Sequence, residues 1–229
     1  MGPSWPKVRP VLPDEYREVY EDHMARNRGG GSVLNRVALG LEGWMHRQVA
    51  QVRGRRILEL GAGGLNHVGY EPRAARYDVV EPLADLVVDH PEVRSGRVRY
   101  LGGYDDLAVL AQASQPIYDK VVSVAVLEHL DDLPAVVADA AALLRPEGWF
   151  VAGIPSEGGA LWEASWRSST GRAFQRRYGL DYGVLMRWEH VNTADEIVDV
   201  LRGQFHQVAV RRFPGPTTAT SLYQAVLCR

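Results

Sequence analysis

The chain has 229 residues, of which 46% are hydrophobic and 24% charged, with a formal net charge of −2. That size supports one substantial core, and the near-neutral charge gives no global field for nucleic acid or an anionic membrane surface. The single cysteine, Cys228, excludes an intramolecular disulfide and a cysteine-based zinc site. The longest apolar run, VVSVAVL at 121–127, is too short to span a bilayer, so a cytoplasmic protein without membrane insertion is expected.

Residues 1–13 carry Pro3, Pro6, Pro10 and Pro13, a density that predicts an extended arm. From Asp14, a plausible N-cap, Tyr16, Val19, Tyr20 and Met24 fall at helical spacing. The stretch RGGGS at 28–32 interrupts the pattern, and a second amphipathic helix follows through Val33, Val37, Leu41, Trp44, Met45 and Val49. Residues 1–53 are thus expected to be an arm and a helical lid, hinged or linked by the triple glycine.

From residue 54 the texture alternates. Strands are predicted at 56–60, 77–82, 98–101, 119–127 and 148–155, with helices over LADLVVDH (83–90), DDLAVLAQAS (105–114) and 133–144. Apolar strands without strict polar alternation, separated by helices, indicate a parallel sheet covered on both faces. Pro72 limits any helix in the first crossover, which is expected to be short or irregular, with His67 pointing at a ligand or at water. Residues 156–190 form a long insert rich in tryptophan, tyrosine and arginine, read as a substrate-side loop region. A helix at 192–203 should start at Asn192 or Thr193, with Glu196 near the capping-box position. The last two strands, 206–213 and 220–228, are separated by a gap that fits a hairpin and is too short for a parallel crossover. The expected fold is an α/β doubly wound, seven-stranded, mostly parallel sheet with an antiparallel terminal strand, spanning 54–229.

The chemistry concentrates where the first predicted strand breaks into Gly61, Gly63 and Gly64, and where Glu81 ends the second. Glycine there permits close backbone approach, and the acid can accept two hydrogen bonds from a ribose diol. Both features serve NAD and S-adenosylmethionine sites alike. Two details favour the second: Asn66 stands where the dinucleotide fingerprint needs its third glycine, and Glu59 puts a carboxylate beside the loop, suited to an ammonium and unsuited to a pyrophosphate.

The segments ILELGAGG, YDVVEP and YDKVVSVAVLEHL resemble motif I, motif II and the fourth-strand motif of class I S-adenosylmethionine-dependent methyltransferases, over about residues 54–155. The likeness is to the broad VLEHL-type small-molecule group, and the run from GIPSEGG to EHVNTADEI is similar to methyltransferases of bacterial surface-polysaccharide clusters. It implies a Rossmann-like methyltransferase fold and S-adenosyl-L-methionine as cofactor. Glu59, Gly61, Ala62 and Gly63 would surround the methionine moiety, Glu81 with Pro82 the ribose, and Ser123, Val124 and Ala125 would lie under the cofactor. Near the adenine the family usually reads G-D-A, whereas GGYDDL puts Tyr104 at the expected acid and Asp105 one place later. Either Asp105 reaches the adenine amino group or Tyr104 stacks on the ring.

Methyl transfer is an in-line displacement in which alignment supplies up to about 7–11 kcal/mol, with no metal required. A hydroxyl acceptor additionally needs a group to take its proton. His129, after the fourth core strand, and His190, at the end of the insert, are the catalytic candidates, each set against a plain capping or surface role. Trp162, Trp166, Tyr178, Tyr182 and Trp188 offer faces for a sugar ring or serve core packing. Arg167, Arg172, Arg176 and Arg177 could grip a phosphate or form a solvated helix face. Arg26 and Arg28 could meet the cofactor's carboxylate if the N-terminal helices close. The expected reaction is methylation of a hydroxyl or amine on a small molecule, a sugar, nucleotide-sugar or glycan precursor leading, by a monomer or homodimer that binds no nucleic acid. The rivals are an NAD-dependent oxidoreductase and a non-catalytic methyltransferase-like binding module.

Overall fold

In the computed structural model, residues 4–28 and 33–229 are described, the side chains of 24–39 excepted. The side chains of Arg26 and Arg28 and the triple glycine therefore lie outside the described residues.

The arm is extended: Trp5, Lys7 and Arg9 are half-buried, while Pro6, Val8 and Pro10 between them are exposed. Helix α1 spans Asp14–Arg28 and α2 Val33–Val49. The sheet strands are β1 (Arg56–Leu60), β2 (Arg76–Val80), β3 (Val98–Tyr100), β4 (Tyr118–Val124), β5 (Leu144–Pro155), β6 (Val208–Pro214) and β7 (Ser221–Cys228). The remaining helices are α3 (Pro91–Arg94), α4 (Tyr104–Ala113), α5 (Leu133–Ala142), α6 (Ala160–Ser168), α7 (Thr170–Tyr178), α8 (Tyr182–Glu189) and α9 (Ala194–Gln204).

The strand order is β3-β2-β1-β4-β5-β7-β6, parallel except for β7, which runs antiparallel to both neighbours. The order reverses between β1 and β4, where open α/β sheets bind ligands at the carboxyl ends of their strands. Alternation along β1 sends Leu58 and Leu60 to one face, against Leu133 and Val137 of α5 and Ile197 and Leu201 of α9. Ile57 goes to the other, among Val79, Val122, Val151 and Val49 of α2.

Two expected elements differ. The helix expected over 83–90 is only a single 3-10 turn, Ala84–Leu86; regular helix starts later, at α3, because His90 precedes Pro91 in extended conformation and Pro91 supplies the first-turn residue. The insert is three helices rather than loop. Gly179 ends α7 in left-handed conformation (φ 73°), and Asp181 caps α8 by accepting from the Gly183 N–H at 2.9 Å. With α1, these helices form a separate aromatic cluster: Tyr16 stacks on Phe174, and His23 meets Phe174 and Tyr182 edge-on. Most of the insert's aromatic residues are thereby used in packing.

The first crossover contains no helix beyond the turn Val68–Tyr70. His67 points neither at water nor at the ligand edge. It is fully buried, its Nδ1 3.0 Å from Nδ1 of His46 on α2 and its Nε2 3.3 Å from Glu71 Oε1. Lys120 of β4, also fully buried, donates to the Val49 carbonyl at 2.9 Å and to the Glu71 carboxylate. A crossover too short to cover the sheet is thus tied down by polar groups that satisfy one another. On the same face α2 lies over the sheet, with Met45 seated against Gly153.

Burial, then the neighbouring His67 and Arg47, lowers His46 to about 4 from its ordinary 6.5. Below 6.5 the unfolded chain takes up a proton that the folded chain refuses until about 4, so stability falls as pH drops through that window. Denaturant titrations from pH 7 to pH 4 should show His46→Gln losing less stability than wild type, by up to about 1.4 kcal/mol per pH unit. Parallel curves for the two proteins would refute this account.

Candidate active site

The site is built at the carboxyl ends of β1, β2 and β4. Gly61 leaves β1 with φ 65°, and a Cβ there would collide with the Val126 side chain, so the position calls for glycine. Gly63, at φ 49°, has open space where its Cβ would be, and its N–H donates to Glu81 Oε2 at 2.8 Å. The Leu83 N–H donates to the other Glu81 oxygen at 2.9 Å. Two backbone donors fix the carboxylate's orientation, and each oxygen keeps a lone pair for a ligand hydroxyl. Pro82 follows as a partner of the same loop, its Cα 3.8 Å from where a Gly103 Cβ would stand.

Glu59 sits deeper than its place beside the loop suggested. It is 3% exposed and accepts from the Tyr77 hydroxyl at 2.8 Å. Burial raises it to about 8, outweighing the Tyr77 bond, and so favours the neutral carboxyl. A neutral carboxyl does not repel a pyrophosphate, which weakens that part of the case against a dinucleotide. Only the 3-10 turn Val68–Tyr70, and no α-helix, follows the glycine loop, so no α-helix N-terminus is available for a pyrophosphate there.

At α4, Tyr104 is half-buried, and burial, with Glu81 and Glu128 close enough to oppose a further negative charge, raises its phenol. Asp105 is exposed, and Asp106 is occupied in capping, accepting from the Gly103 N–H at 2.8 Å. Of the two candidates, Tyr104 is the one placed beside Glu81. At the end of β4, Ser123 is fully buried with no partner for its hydroxyl, Val124 is half-buried, and Ala125 adopts φ 54°. A non-glycine residue in that region costs of the order of 1–3 kcal/mol and is concentrated at functional sites. Ala62, 5% exposed, packs below the loop.

The turn Leu127–His129 follows. The Glu128 carbonyl accepts from the N–H groups of Val191 and Asn192 at 2.9 and 3.1 Å. Asn192, fully buried, donates to the carbonyls of Leu127 and Leu130 at 3.0 and 2.7 Å and accepts from the Trp5 indole at 3.0 Å. Arg9 of the arm donates to the carbonyls of His129 and Trp188 and pairs with Asp131 at 2.9 Å. The arm therefore straps the 127–131 turn to the end of the insert.

This stitching brings His129 and His190 together, their ring centroids 4.8 Å apart at 79°. His129 Nδ1 lies 2.9 Å from the Glu189 carbonyl, which can only accept, so the hydrogen is on Nδ1 and Nε2 carries a lone pair. Burial lowers His129, favouring the neutral ring. His190 Nδ1 meets Glu157 Oε2 at 2.6 Å, and the same oxygen accepts from the Trp162 indole at 2.7 Å. Burial pushes Glu157 up, but those two donors more than offset it and hold it below its ordinary value. Glu128 is 1% exposed with Oε2 unpartnered, and burial raises it to about 7 against the opposing effect of His190.

Sequence reasoning did not single out Glu128 or Glu157, and it expected the extended arm without giving it contacts to the 127–131 turn. Glu128 was visible only as a letter in VLEHL, and Glu157 could have been flagged because it directly follows β5 at the ligand edge. The arginine cluster does not join the site: Arg167, Arg172, Arg176 and Arg177 are exposed, Arg167 pairs with Glu163 at 2.5 Å, and Arg177 lies 4.0 Å from Asp22. Among the described residues, no helix is long and apolar enough to cross a membrane.

The structure is similar to the CurJ carbon methyltransferase (TM-score 0.58, 19% identity, 94% of this chain and 61% of that one). It is also similar to the N-methyltransferase NodS from Bradyrhizobium japonicum WM9 in complex with S-adenosyl-L-homocysteine (TM-score 0.54, 16% identity, 94% and 97%). In sequence the chain is 30% identical over 110 residues to a ubiquinone biosynthesis O-methyltransferase of Bordetella avium (strain 197N), a match covering 46% of this chain and 45% of that protein. The chain thus spans under half the length of that curated relative. A family model described as a methyltransferase domain matches residues 38–196, from within α2 to the start of α9. On that match, and with the fold to accompany it, the chain belongs to the methyltransferase domain family.

Proposed function

We propose that this protein transfers a methyl group from S-adenosyl-L-methionine to a hydroxyl or amine of a small molecule, with a sugar or glycan precursor as the acceptor. The observation that carries the reading is a juxtaposition. A glycine cradle with an oriented acid, Gly61, Gly63 and Glu81, stands at the same sheet edge as the histidine pair His129 and His190.

The residues fit the cofactor. Gly63 leaves open backbone, the free lone pairs of Glu81 suit a ribose diol, and the orphaned Ser123 hydroxyl awaits a partner. When bound, S-adenosylmethionine supplies an activated methyl on a positively charged sulfur. The chain's own contribution is positioning and proton removal. Glu81 and the Gly61–Gly63 backbone orient the donor, Tyr104 borders the ribose side, and the cluster around His129 is where the acceptor's proton leaves. The tautomer set by Glu189 keeps a lone pair on His129 Nε2 for that task. The exposed arginines give no support to a phosphate-bearing acceptor, which favours an uncharged sugar or an amine over a nucleotide-sugar.

Titration calorimetry with S-adenosylhomocysteine should show saturable binding by the wild type. Glu81→Ala should weaken it about 10–100-fold, as expected for losing hydrogen bonds to a charged group, while Asp105→Asn leaves it unchanged. Absence of binding by the wild type, or a stronger effect at Asp105 than at Glu81, would overturn the cofactor assignment. Preferential binding of NADH would revive the oxidoreductase reading.

With an acceptor found by screening sugars and amines for S-adenosylhomocysteine release, His129→Gln should lower turnover about 10²–10⁴-fold and leave cofactor affinity intact. Full activity in that variant would show that proton removal occurs elsewhere, and loss of cofactor affinity would place His129 in the cofactor site.

A further inference from the structure

We propose that Glu128, His129 and His190 bind a divalent transition-metal cation of the zinc class. Each offers one ligand atom, and the three atoms lie within 4.8 Å of one another. Glu128 Oε1 and His129 Nε2 are 3.8 Å apart. Ligands held at about 2.0–2.2 Å in a tetrahedral site sit a little over 3 Å from each other, so closing the set needs shifts of roughly 1 Å, within the reach of side-chain rotation.

Two independent features point to a cation. Glu128 is 1% exposed and its Oε2 has no partner, which for a buried carboxyl oxygen is costly unless something else completes it. Each histidine spends Nδ1 on an acceptor, His129 on the Glu189 carbonyl and His190 on the Glu157 carboxylate. Both Nε2 atoms are thereby left as the available ring atoms. A ligating histidine characteristically bonds through its second nitrogen to a carbonyl or carboxylate, which fixes its tautomer and raises its basicity. Two imidazoles and one carboxylate suit zinc, cobalt or nickel rather than the all-oxygen coordination of magnesium or calcium.

Three protein ligands leave a position for an oxygen of the acceptor, and a hydroxyl placed there loses its proton to solvent more readily. His129 then acts as a ligand, and polarisation of the acceptor replaces direct proton removal. That consequence rests on the methyl-transfer reading; the binding of the cation does not.

The test uses the full chain, stripped with chelator and titrated with Zn²⁺ and with Co²⁺ by calorimetry, the cobalt also followed by its visible absorption. The expected result is one equivalent bound, with absorption bands of four- or five-coordinate cobalt. Glu128→Gln and His190→Ala should each weaken binding at least about tenfold, and Glu157→Gln about 10–100-fold, the range for residues that orient ligands. S-adenosylhomocysteine titration of the same samples reports whether each variant is folded. No saturable metal binding by wild type that binds S-adenosylhomocysteine overturns the proposal and leaves the methyltransferase reading standing. So does binding unchanged in all three variants, which would mark adventitious sites at other histidines, or a preference for Mg²⁺. Metal binding without S-adenosylhomocysteine binding would uphold this site and sink the other reading.

Discussion

The site depends on one buried amide. Asn192 uses both hydrogens on the carbonyls of Leu127 and Leu130 and its oxygen on the Trp5 indole, while its backbone N–H reaches the Glu128 carbonyl. In a low-dielectric interior, such a fully satisfied group is rigid, and any one bond lost strands its partner. Three segments far apart in sequence, the arm, the turn after β4 and the end of the insert, meet at this side chain. The closeness of His129 and His190 follows from that meeting and from the bond of His129 Nδ1 to the carbonyl of Glu189, the residue before His190.

Much of the fold was legible because it rests on short-range signals. The segments at 56–60 and 119–127 read as strands of a sheet covered on both faces, and Thr193 with Glu196 forms the capping box expected there. The glycine loop was legible too, since the close approach of Val126 to Gly61 calls for glycine. What stayed hidden needed partners distant in sequence. His67 is placed by His46, and burial beside Tyr77 favours the neutral form of Glu59. The helices of the insert are stabilised by aromatic packing onto α1, so neither their polar faces nor their glycine breaks announced them. The helix expected over 83–90 is reduced to the turn Ala84–Leu86, and it does not run on into α3 because His90, the residue before Pro91, is held extended.

The two candidate histidines share a design in which each ring's reactive nitrogen is set by what the other nitrogen touches. A neutral carbonyl holds His129, whereas a carboxylate holds His190, although their ring centroids are only 4.8 Å apart. Glu157 is itself steadied by Trp162, the insert aromatic residue that reaches the site through a hydrogen bond. The insert thus contributes orientation as well as covering.

The side chain of Met45 occupies the volume where any residue larger than glycine at 153 would put its Cβ, 2.7 Å from the Met45 Cβ. The two positions form a size-matched pair joining α2 to the central sheet. Enlargement at one would have to be met by reduction at the other, and a shortened form of the chain that began at residue 54 would leave a glycine-floored trough on β5 with nothing to fill it.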